Sequence, residues 1–513
     1  MKPISRFLAF ALAFLLLGLS MSVAFAAGDA PVAQTIKGAV RGKVQDGLTC
    51  YFGIPFAKTT TGARRFTPPE PADTWTGVLD ATKQPKDPIQ DSYNALTQSE
   101  DSLKLDLWIP PHKDGEPLAV MFWIYGGSYA YGGVGKSYYD LSAMARDTGC
   151  ILVAANYRLG VCGFLDLRDA VPGATANNGL RDLTLALQWV HENIAFFDGD
   201  PQNVTVFGQS AGAALADALL AVPAAAPYFD KVISQSACLD SFYAPAQAKT
   251  LANTWLSLMG NPSAKQLASM SPRKLLSRNG LLNVKQTIDA GINCTFNPVI
   301  DGEFLTCHPS QLPPKRLQKK LLIGCTKNEA AVFLFFVLWP LTKTRLADKI
   351  IMQNFSADLR PALTDGMRFP STKGFIALTT ERMYRYPMTM LADRAAESTE
   401  VYAYRYDYQP PAVKLLGLGA FHATEIPVLF DSGLKLGPVT LKITNGQEAK
   451  QVGARLRSYW GSFAKTGCPD PAWTPYTAEE RATCILDTTD RIEPDPYGAR
   501  MHLYQDYVSP WKQ

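Results

Sequence analysis

Five short segments of the chain are apolar on consecutive positions and rich in Val, Ile and aromatic residues. They are Ala119–Tyr125, Ile151–Asn156, Val204–Phe207, Val232–Gln235 and Leu321–Cys325. Apolar runs of this length are typical of strands that are covered on both faces, as in a mostly parallel sheet. The pattern therefore predicts five strands at the centre of a layered molecule.

Between the second and third of these runs, apolar residues recur at steps of three and four positions, which predicts one helix with a buried stripe. The stripe consists of Leu180, Leu183, Leu187, Val190 and Ile194. Strands alternating with helices indicate an α/β protein with helices packed on both faces of the sheet. No internal repeat, low-complexity tract or long Ser/Gly linker divides the chain, so we expect a single domain over residues 27–513.

The first 26 residues differ from the rest of the chain. A short basic start is followed by an apolar stretch that ends near Leu19, and Ala24 and Ala26 form an AxA pattern. This predicts a secretory signal that is cleaved after Ala26, with a membrane anchor as the alternative. The richest later segment, Ala330–Pro340, ends at a proline and is too short to span a bilayer. We therefore expect a secreted or periplasmic protein without stable membrane insertion.

Charge and composition narrow the range of partners and cofactors. The 513 residues carry a formal net charge of +4, which falls to about +2 without Lys2 and Arg6 of the signal. This balance argues against nucleic acid as a partner, since that needs a concentrated basic face. The spacing of Cys and His residues suggests no metal site, and we expect neither a metal nor an organic cofactor.

The nine cysteines leave at least one thiol unpaired within a single chain. Cys150, Cys162 and Cys325 lie in apolar runs and are expected to be buried as small apolar side chains. Cys294 and Cys307 flank a short segment and could form a disulfide in an oxidising compartment.

The segment VTVFGQSAGAAL contains the pattern GxSxG around Ser210. A predicted strand precedes the serine, and a run of good helix formers follows it. This strand, turn and helix context is the one that a nucleophile elbow requires, with Gly208 and Gly212 allowing the two limbs to approach closely. The alternative is an ordinary hydroxyl in a turn of small residues.

A glycine-rich segment, WIYGGSYAYGG, follows the first predicted strand. Such a turn can direct consecutive backbone N–H groups into one concavity, as a developing oxyanion requires. A merely flexible loop is the alternative for this segment.

The sequence has five histidines, so the general base can be sought by elimination. His422, in GLGAFHATEIP, is the one that lies in a loop well downstream of Ser210. His112, His191, His308 and His502 lie in a polar turn, a helical stretch, a proline-rich segment and near the C-terminus. In the order serine, acid, histidine, Glu329 after a predicted strand is one candidate acid. Asp301, which is expected to shape a turn, and Glu425 compete with it.

Motifs along nearly the whole mature chain resemble the type-B carboxylesterases and cholinesterases, a family of α/β-hydrolases. The chain resembles in particular the bacterial para-nitrobenzyl-esterase-like members. The motifs that carry the resemblance are YFGIPFAK, RRFTPPEPADTW, SEDSLKLDLWIP, NYRLGVCGFL, NNGLRDLTLALQWVHENIAFFDGDPQNVTVFGQSAGAA, PVIDGEF and WGSFAKTGCPDP.

The resemblance implies a large, mostly parallel sheet with helices on both faces and long insertions over the active site. It places the nucleophile on Ser210, the acid on Glu329 and the base on His422, and it implies a buried ion pair between Glu100 and Arg158. The implied oxyanion donors are the N–H groups of Gly126, Gly127 and Ala211. Tyr125 stands where the family often has histidine. Because the donors are backbone amides, the oxyanion hole itself is expected to survive this difference, and the shape and polarity beside it are left open.

The reaction implied is hydrolysis of a small carboxylic ester through an acyl-enzyme on Ser210. Two alternatives remain at this point. A catalytically silent, cholinesterase-like adhesion protein would keep the fold, although every implied member of the triad is present. An interfacial lipase would use the apolar run Ala330–Pro340 to line an acyl pocket or to face lipid.

Overall fold

A computed structural model of the chain describes residues 30–504 except 114, 291–293, 337–358, 366–370, 437–438, 442 and 445. The predicted signal and much of the apolar run Ala330–Pro340 therefore lie outside the described residues. No helix in the described ranges is long and apolar enough to cross a membrane.

A mixed sheet of eleven strands forms the centre of the molecule. Its strands, numbered in chain order, are β1 (Lys43–Gln45), β2 (Leu48–Pro55), β3 (Lys104–Ile109), β4 (Leu118–Ile124), β5 (Ile151–Ala155), β6 (Gly199–Gln209), β7 (Lys231–Gln235), β8 (Lys320–Thr326), β9 (Val401–Tyr406), β10 (Thr483–Leu486) and β11 (Arg491–Glu493). The five predicted strands are confirmed as β4 to β8.

The strands lie in the order β11-β10-β9-β8-β7-β6-β4-β5-β3-β2-β1. The seven strands from β10 to β5 in this order run parallel, and antiparallel strands close both edges. Every residue of β5 and β7 is buried, so the middle of the sheet is covered on both faces, as the continuous apolar runs predict.

Helices surround this sheet. They are α1 (Ser142–Thr148), α2 (Gly160–Phe164), α3 (Asn178–Asn193), α4 (Ala211–Leu219), α5 (Pro245–Leu258), α6 (Ala264–Ser269), α7 (Pro272–Leu275), α8 (Asn279–Ala290), α9 (Ala331–Phe336), α10 (Leu359–Thr364), α11 (Thr372–Thr380), α12 (Tyr386–Ala396), α13 (Pro411–Leu416), α14 (Glu425–Phe430) and α15 (Gln447–Thr466). The predicted stripe is confirmed on α3, where Leu180, Leu183, Leu187 and Val190 are buried.

Smaller elements complete the fold. A three-stranded sheet joins Val32–Gln34, Ala39–Arg41 and Val78–Asp80, and two strand pairs join Asp87–Pro88 with Gln98–Ser99 and Leu434–Leu436 with Val439–Leu441. A π-helical turn, Glu381–Arg385, connects α11 to α12. Short 3-10 helices lie at Gly62–Arg64, Ser137–Tyr139, Ile194–Phe197, Ala226–Tyr228, Pro309–Gln311, Pro314–Arg316 and Gly498–Tyr504.

The expected ion pair between Glu100 and Arg158 is wrong. Arg158 instead donates to both carboxylate oxygens of Asp182, with Nη2 2.7 Å from Oδ1 and Nε 2.9 Å from Oδ2. Glu100 accepts from Nε and Nη2 of Arg65 at 2.5 Å and 2.9 Å. Each guanidinium therefore has its own carboxylate, because two-point pairing satisfies both planar groups better than one shared contact.

The cysteines are all free thiols. Cys150, Cys162 and Cys325 are buried, as expected. The suggested disulfide between Cys294 and Cys307 is therefore absent, and the Cys294 thiol faces Ser241 and Ser128.

Candidate active site

Ser210 occupies the sharp turn between β6 and α4. Its backbone has φ 60° and ψ −128°, a strained conformation for a residue other than glycine. A Cβ on Gly212 would lie 2.1 Å from the Ile124 carbonyl oxygen, and a Cβ on Gly208 would lie 2.5 Å from the Gly212 carbonyl carbon. Both glycines are therefore required for the strand and the helix to meet, and the predicted elbow is present.

Glu329 follows the end of β8, three residues beyond Thr326, and is buried. Its Oε1 accepts hydrogen bonds from the Thr326 N–H and the Ser236 hydroxyl, each at 2.5 Å. Its Oε2 lies 2.5 Å from Nδ1 of His422. Of the competing acids, Glu329 is the one that contacts the predicted base.

His422 lies in the loop between α13 and α14, where its backbone N–H donates to the Glu329 carbonyl oxygen at 3.2 Å. Its ring packs between Phe333 and Tyr384, with ring centroids at 5.4 Å and 5.1 Å. A second hydrogen bond joins Nε2 of His422 to Nε2 of Gln209, the residue before Ser210, at 3.2 Å. The structure thus brings the predicted serine segment, acid and histidine together from three distant parts of the chain.

The competing carboxylates have other surroundings. Asp301 accepts hydrogen bonds from the N–H groups of Glu303, Phe304 and Leu305, which confirms its predicted role in a turn. Glu425 is buried, and neither carboxylate oxygen has a hydrogen-bond partner among the described residues. Burial, together with the nearby negative charge of Glu329, raises the pKa of Glu425 to about 8, so it is neutral at pH 7.

In the glycine-rich loop after β4, the N–H of Gly126 faces the Tyr139 hydroxyl. The N–H groups of Gly127, Ser128 and Ala211 have no hydrogen-bond partner in the described part of the chain. Gly127 has φ 125°, and a Cβ there would lie 2.2 Å from the Tyr131 carbonyl oxygen, so glycine is needed at this turn.

Tyr125, the residue before this loop, lies in the core. It is fully buried and stacks on Tyr157, with ring centroids 4.5 Å apart. The Tyr157 hydroxyl donates to the Tyr125 carbonyl oxygen at 2.7 Å, and a Cβ on Gly132 would lie 2.4 Å from the Tyr125 ring. Tyr125 therefore supports the loop from the core side.

Sequence reasoning missed four side chains that contact the site. Ser236 bonds Glu329, and Gln209 bonds His422, as described above. The Cys238 thiol faces the hydroxyls of Ser210 and Tyr384, and burial raises its pKa well above the ordinary range. Position next to Ser210 could have identified Gln209, whereas no pattern along the chain distinguishes the other three.

No group of three or more His, Cys, Asp and Glu side chains in the described ranges is arranged to hold a metal ion. The site offers a hydroxyl, an imidazole in contact with a buried carboxylate, and N–H groups that have no partner in the described part of the chain.

The chain is similar to proteins of known family. The Carboxylesterase family matches residues 29–504. A para-nitrobenzyl esterase of Bacillus subtilis is 35% identical over 91% of this chain and 96% of its own length, and a human cocaine esterase is 29% identical over 88% and 87%.

Solved structures give the same result. A PNB esterase superposes with a TM-score of 0.81 at 32% identity, covering 93% of this chain and all of that chain. A carboxylesterase of Geobacillus stearothermophilus has a TM-score of 0.79 at 32% identity, covering 92% and 100%. This chain therefore belongs to the carboxylesterase family and is a carboxylic ester hydrolase with the α/β-hydrolase fold.

Proposed function

We propose that Ser210, His422 and Glu329 are the nucleophile, base and orienting acid with which this protein hydrolyses small carboxylic esters. Ser210 Oγ attacks the ester carbonyl carbon while Nε2 of His422 takes its proton. The imidazolium then returns the proton to the departing alcohol, which leaves an acyl-enzyme on Ser210. Water, activated by the same nitrogen, releases the carboxylate and restores the serine.

The contact that carries this proposal is the 2.5 Å hydrogen bond between Nδ1 of His422 and Oε2 of Glu329. A buried carboxylate that accepts the Nδ1 proton holds the imidazole in the tautomer whose Nε2 is a base, and it stabilises the imidazolium that forms later. Glu329 itself is held by Thr326 and Ser236. The arrangement also orients the ring beside the Ser210 turn.

We assign the oxyanion hole to the N–H groups of Gly127, Ser128 and Ala211. This assignment keeps two of the donors expected from the sequence and proposes Ser128 in place of Gly126, whose N–H faces the Tyr139 hydroxyl. Ala211 begins α4, so its N–H also lies at the positive end of a helix. Each donor to a developing oxyanion is typically worth about 10²–10³ in rate.

The proposed class of substrate rests on the relatives, and the proposed location rests on the sequence. Similarity to a para-nitrobenzyl esterase and a cocaine esterase supports small esters rather than a macromolecular substrate. The signal pattern that ends at Ala26 supports export, with residues 27–513 acting as one domain. No step requires a metal or an organic cofactor.

The test compares the exported protein with Ser210→Ala on p-nitrophenyl acetate, butyrate and palmitate. We expect the variant to lose turnover of the short esters by a factor of about 10³ or more while it unfolds at the same temperature. Ser269→Ala, at an exposed serine of α6, is the matched control and should keep full activity. Turnover that is equal in both proteins would refute the proposed nucleophile, and no turnover in either protein would support the silent adhesion protein. A hydrolysis rate that rises sharply once the concentration of p-nitrophenyl palmitate exceeds its solubility limit would indicate an interfacial lipase.

A further inference from the structure

The nitrogen of His422 that is proposed to act as the base already has a partner. Its Nε2 lies 3.2 Å from the side-chain nitrogen of Gln209. A glutamine amide nitrogen only donates hydrogen bonds, so Nε2 of His422 must be the acceptor in this contact. The tautomer that fits this contact carries its proton on Nδ1, which faces Glu329.

Ser210 has no hydrogen bond to Nε2 of His422 among the described residues; its hydroxyl faces the Cys238 thiol instead. Gln209 therefore occupies the nitrogen that must take the first proton. Before the first proton transfer, the Gln209 N–H must leave Nε2 of His422 so that the Ser210 hydroxyl can hydrogen-bond to this nitrogen.

The position of Gln209 is fixed by its surroundings. It is buried at the end of β6, where it pairs with Gln235 of β7. A Cβ on Gly126 would lie 2.6 Å from the Gln209 carbonyl oxygen and 3.2 Å from its side-chain oxygen. The amide is therefore confined between the glycine-rich loop and the imidazole, with its N–H directed at His422.

We propose that Gln209 is a positioning residue for this site, whose side-chain N–H holds His422 as a neutral base until Ser210 replaces it at Nε2. A donor at Nε2 favours the neutral imidazole and disfavours the imidazolium, whose own N–H would face the amide N–H. The inference rests on the proposed function and names a further residue of the same site.

The ionisable groups that face His422 allow this effect to be measured. Glu329 contacts Nδ1, and Glu425 lies on α14 with its pKa raised to about 8 by burial and by Glu329. Burial raises the pKa values of Tyr384 and Cys238 well above their ordinary ranges, so neither ionises near neutral pH. The acid limb of the rate profile should therefore report on His422.

The experiment uses Gln209→Glu and Gln209→Met and measures kcat/KM against pH from 4.5 to 9. A carboxylate at this position accepts from Nε2 and favours the imidazolium, so Gln209→Glu should move the acid limb upward by about one pH unit or more. Gln209→Met lacks the donor and should move it upward by less. Gln266→Glu, which adds the same charge at an exposed position of α6, should leave the profile unchanged.

A second measurement does not depend on turnover. The imidazole signals of the five histidines are titrated by NMR in the Ser210→Ala protein, with His422 identified through His422→Gln. Adding Gln209→Glu should shift the His422 midpoint upward by about one unit or more. Lower activity with an unmoved acid limb and an unmoved midpoint would overturn the role of Gln209. Absence of serine-dependent hydrolysis with a shifted midpoint would instead overturn the proposed function.

Discussion

Glu329 depends on its neighbours for both its position and its charge. Two donors, the Thr326 N–H and the Ser236 hydroxyl, converge on Oε1, which leaves Oε2 for Nδ1 of His422. Hydrogen bonds to a buried carboxylate offset the cost of removing its charge from water. The Glu329 carboxylate therefore has three partners: two donors hold Oε1 in place, and Oε2 is left to accept from His422.

Replacing Glu329 by Gln should keep the position of the side chain and remove its charge. The amide can still accept from Thr326 and Ser236 through its oxygen, but it then presents an NH₂ group to Nδ1 and favours the wrong imidazole tautomer. We expect kcat to fall by about 10³-fold or more with little change in the unfolding temperature. Ser236→Ala, which removes one donor and leaves the carboxylate, should cost far less. Near-normal kcat in Glu329→Gln would mean that another group is the acid.

Helix α4 shows how an element near the site depends on a buried acid. Its nine residues are all buried, including Asp217, which accepts a hydrogen bond from the Ser234 hydroxyl of β7 at 2.7 Å. Burial raises the pKa of Asp217 from an ordinary value of 3.8 to about 7, although the Ser234 bond lowers it. Near pH 5 the helix therefore packs on the sheet through a neutral carboxylic acid.

The raised pKa of Asp217 predicts the direction of a pH effect on stability. Between pH 3.8 and about 7 the folded state holds a proton that the unfolded chain has lost, so this group's contribution falls as pH rises and is lost above about 7. Asp217→Asn cannot ionise and should lack this decline. From pH 5 to pH 8, the free energy of urea unfolding should fall in wild type by about 1 kcal/mol or more relative to the variant. Asp431→Asn, at an exposed left-handed position, is the control; equal pH dependence in wild type and Asp217→Asn would contradict the assignment.

At the scale of the whole molecule, distant segments are joined by buried ion pairs. The Arg158 and Asp182 side chains are almost fully buried, and Arg158 also donates to the carbonyl oxygens of Arg65 and Thr67. The pair thus connects the segment after β5, helix α3 and the chain after β2. Nearby, Arg65 and Glu100 form a second bidentate pair.

Breaking the Arg158 pair should destabilise the whole fold. Asp182→Asn leaves a buried guanidinium without its counter-charge, which typically costs 3–5 kcal/mol. Asp169→Asn breaks an exposed pair with Lys249 and should change stability by less than about 1 kcal/mol. Denaturant unfolding of both variants measures the difference. Similar small losses would show that the Arg158 charge is compensated elsewhere.

From the sequence alone, the five central strands, helix α3 and the glycine-bounded turn at Ser210 could be predicted. The reason is that burial leaves continuous apolar runs and a helical period, and a tight turn requires glycine locally. The pairing of His422 with Glu329 was also within reach, because chain order and motif resemblance restrict the choice.

Only the tertiary structure decided which groups meet across the molecule. Arg158 pairs with Asp182, and Tyr125 stacks on Tyr157 in the core. The Gly126 N–H faces the Tyr139 hydroxyl, and the side-chain nitrogen of Gln209 contacts Nε2 of His422. These contacts depend on side-chain direction and on the approach of segments far apart in sequence. Periodicity and residue type record how deeply a residue is buried, but they do not record its partner.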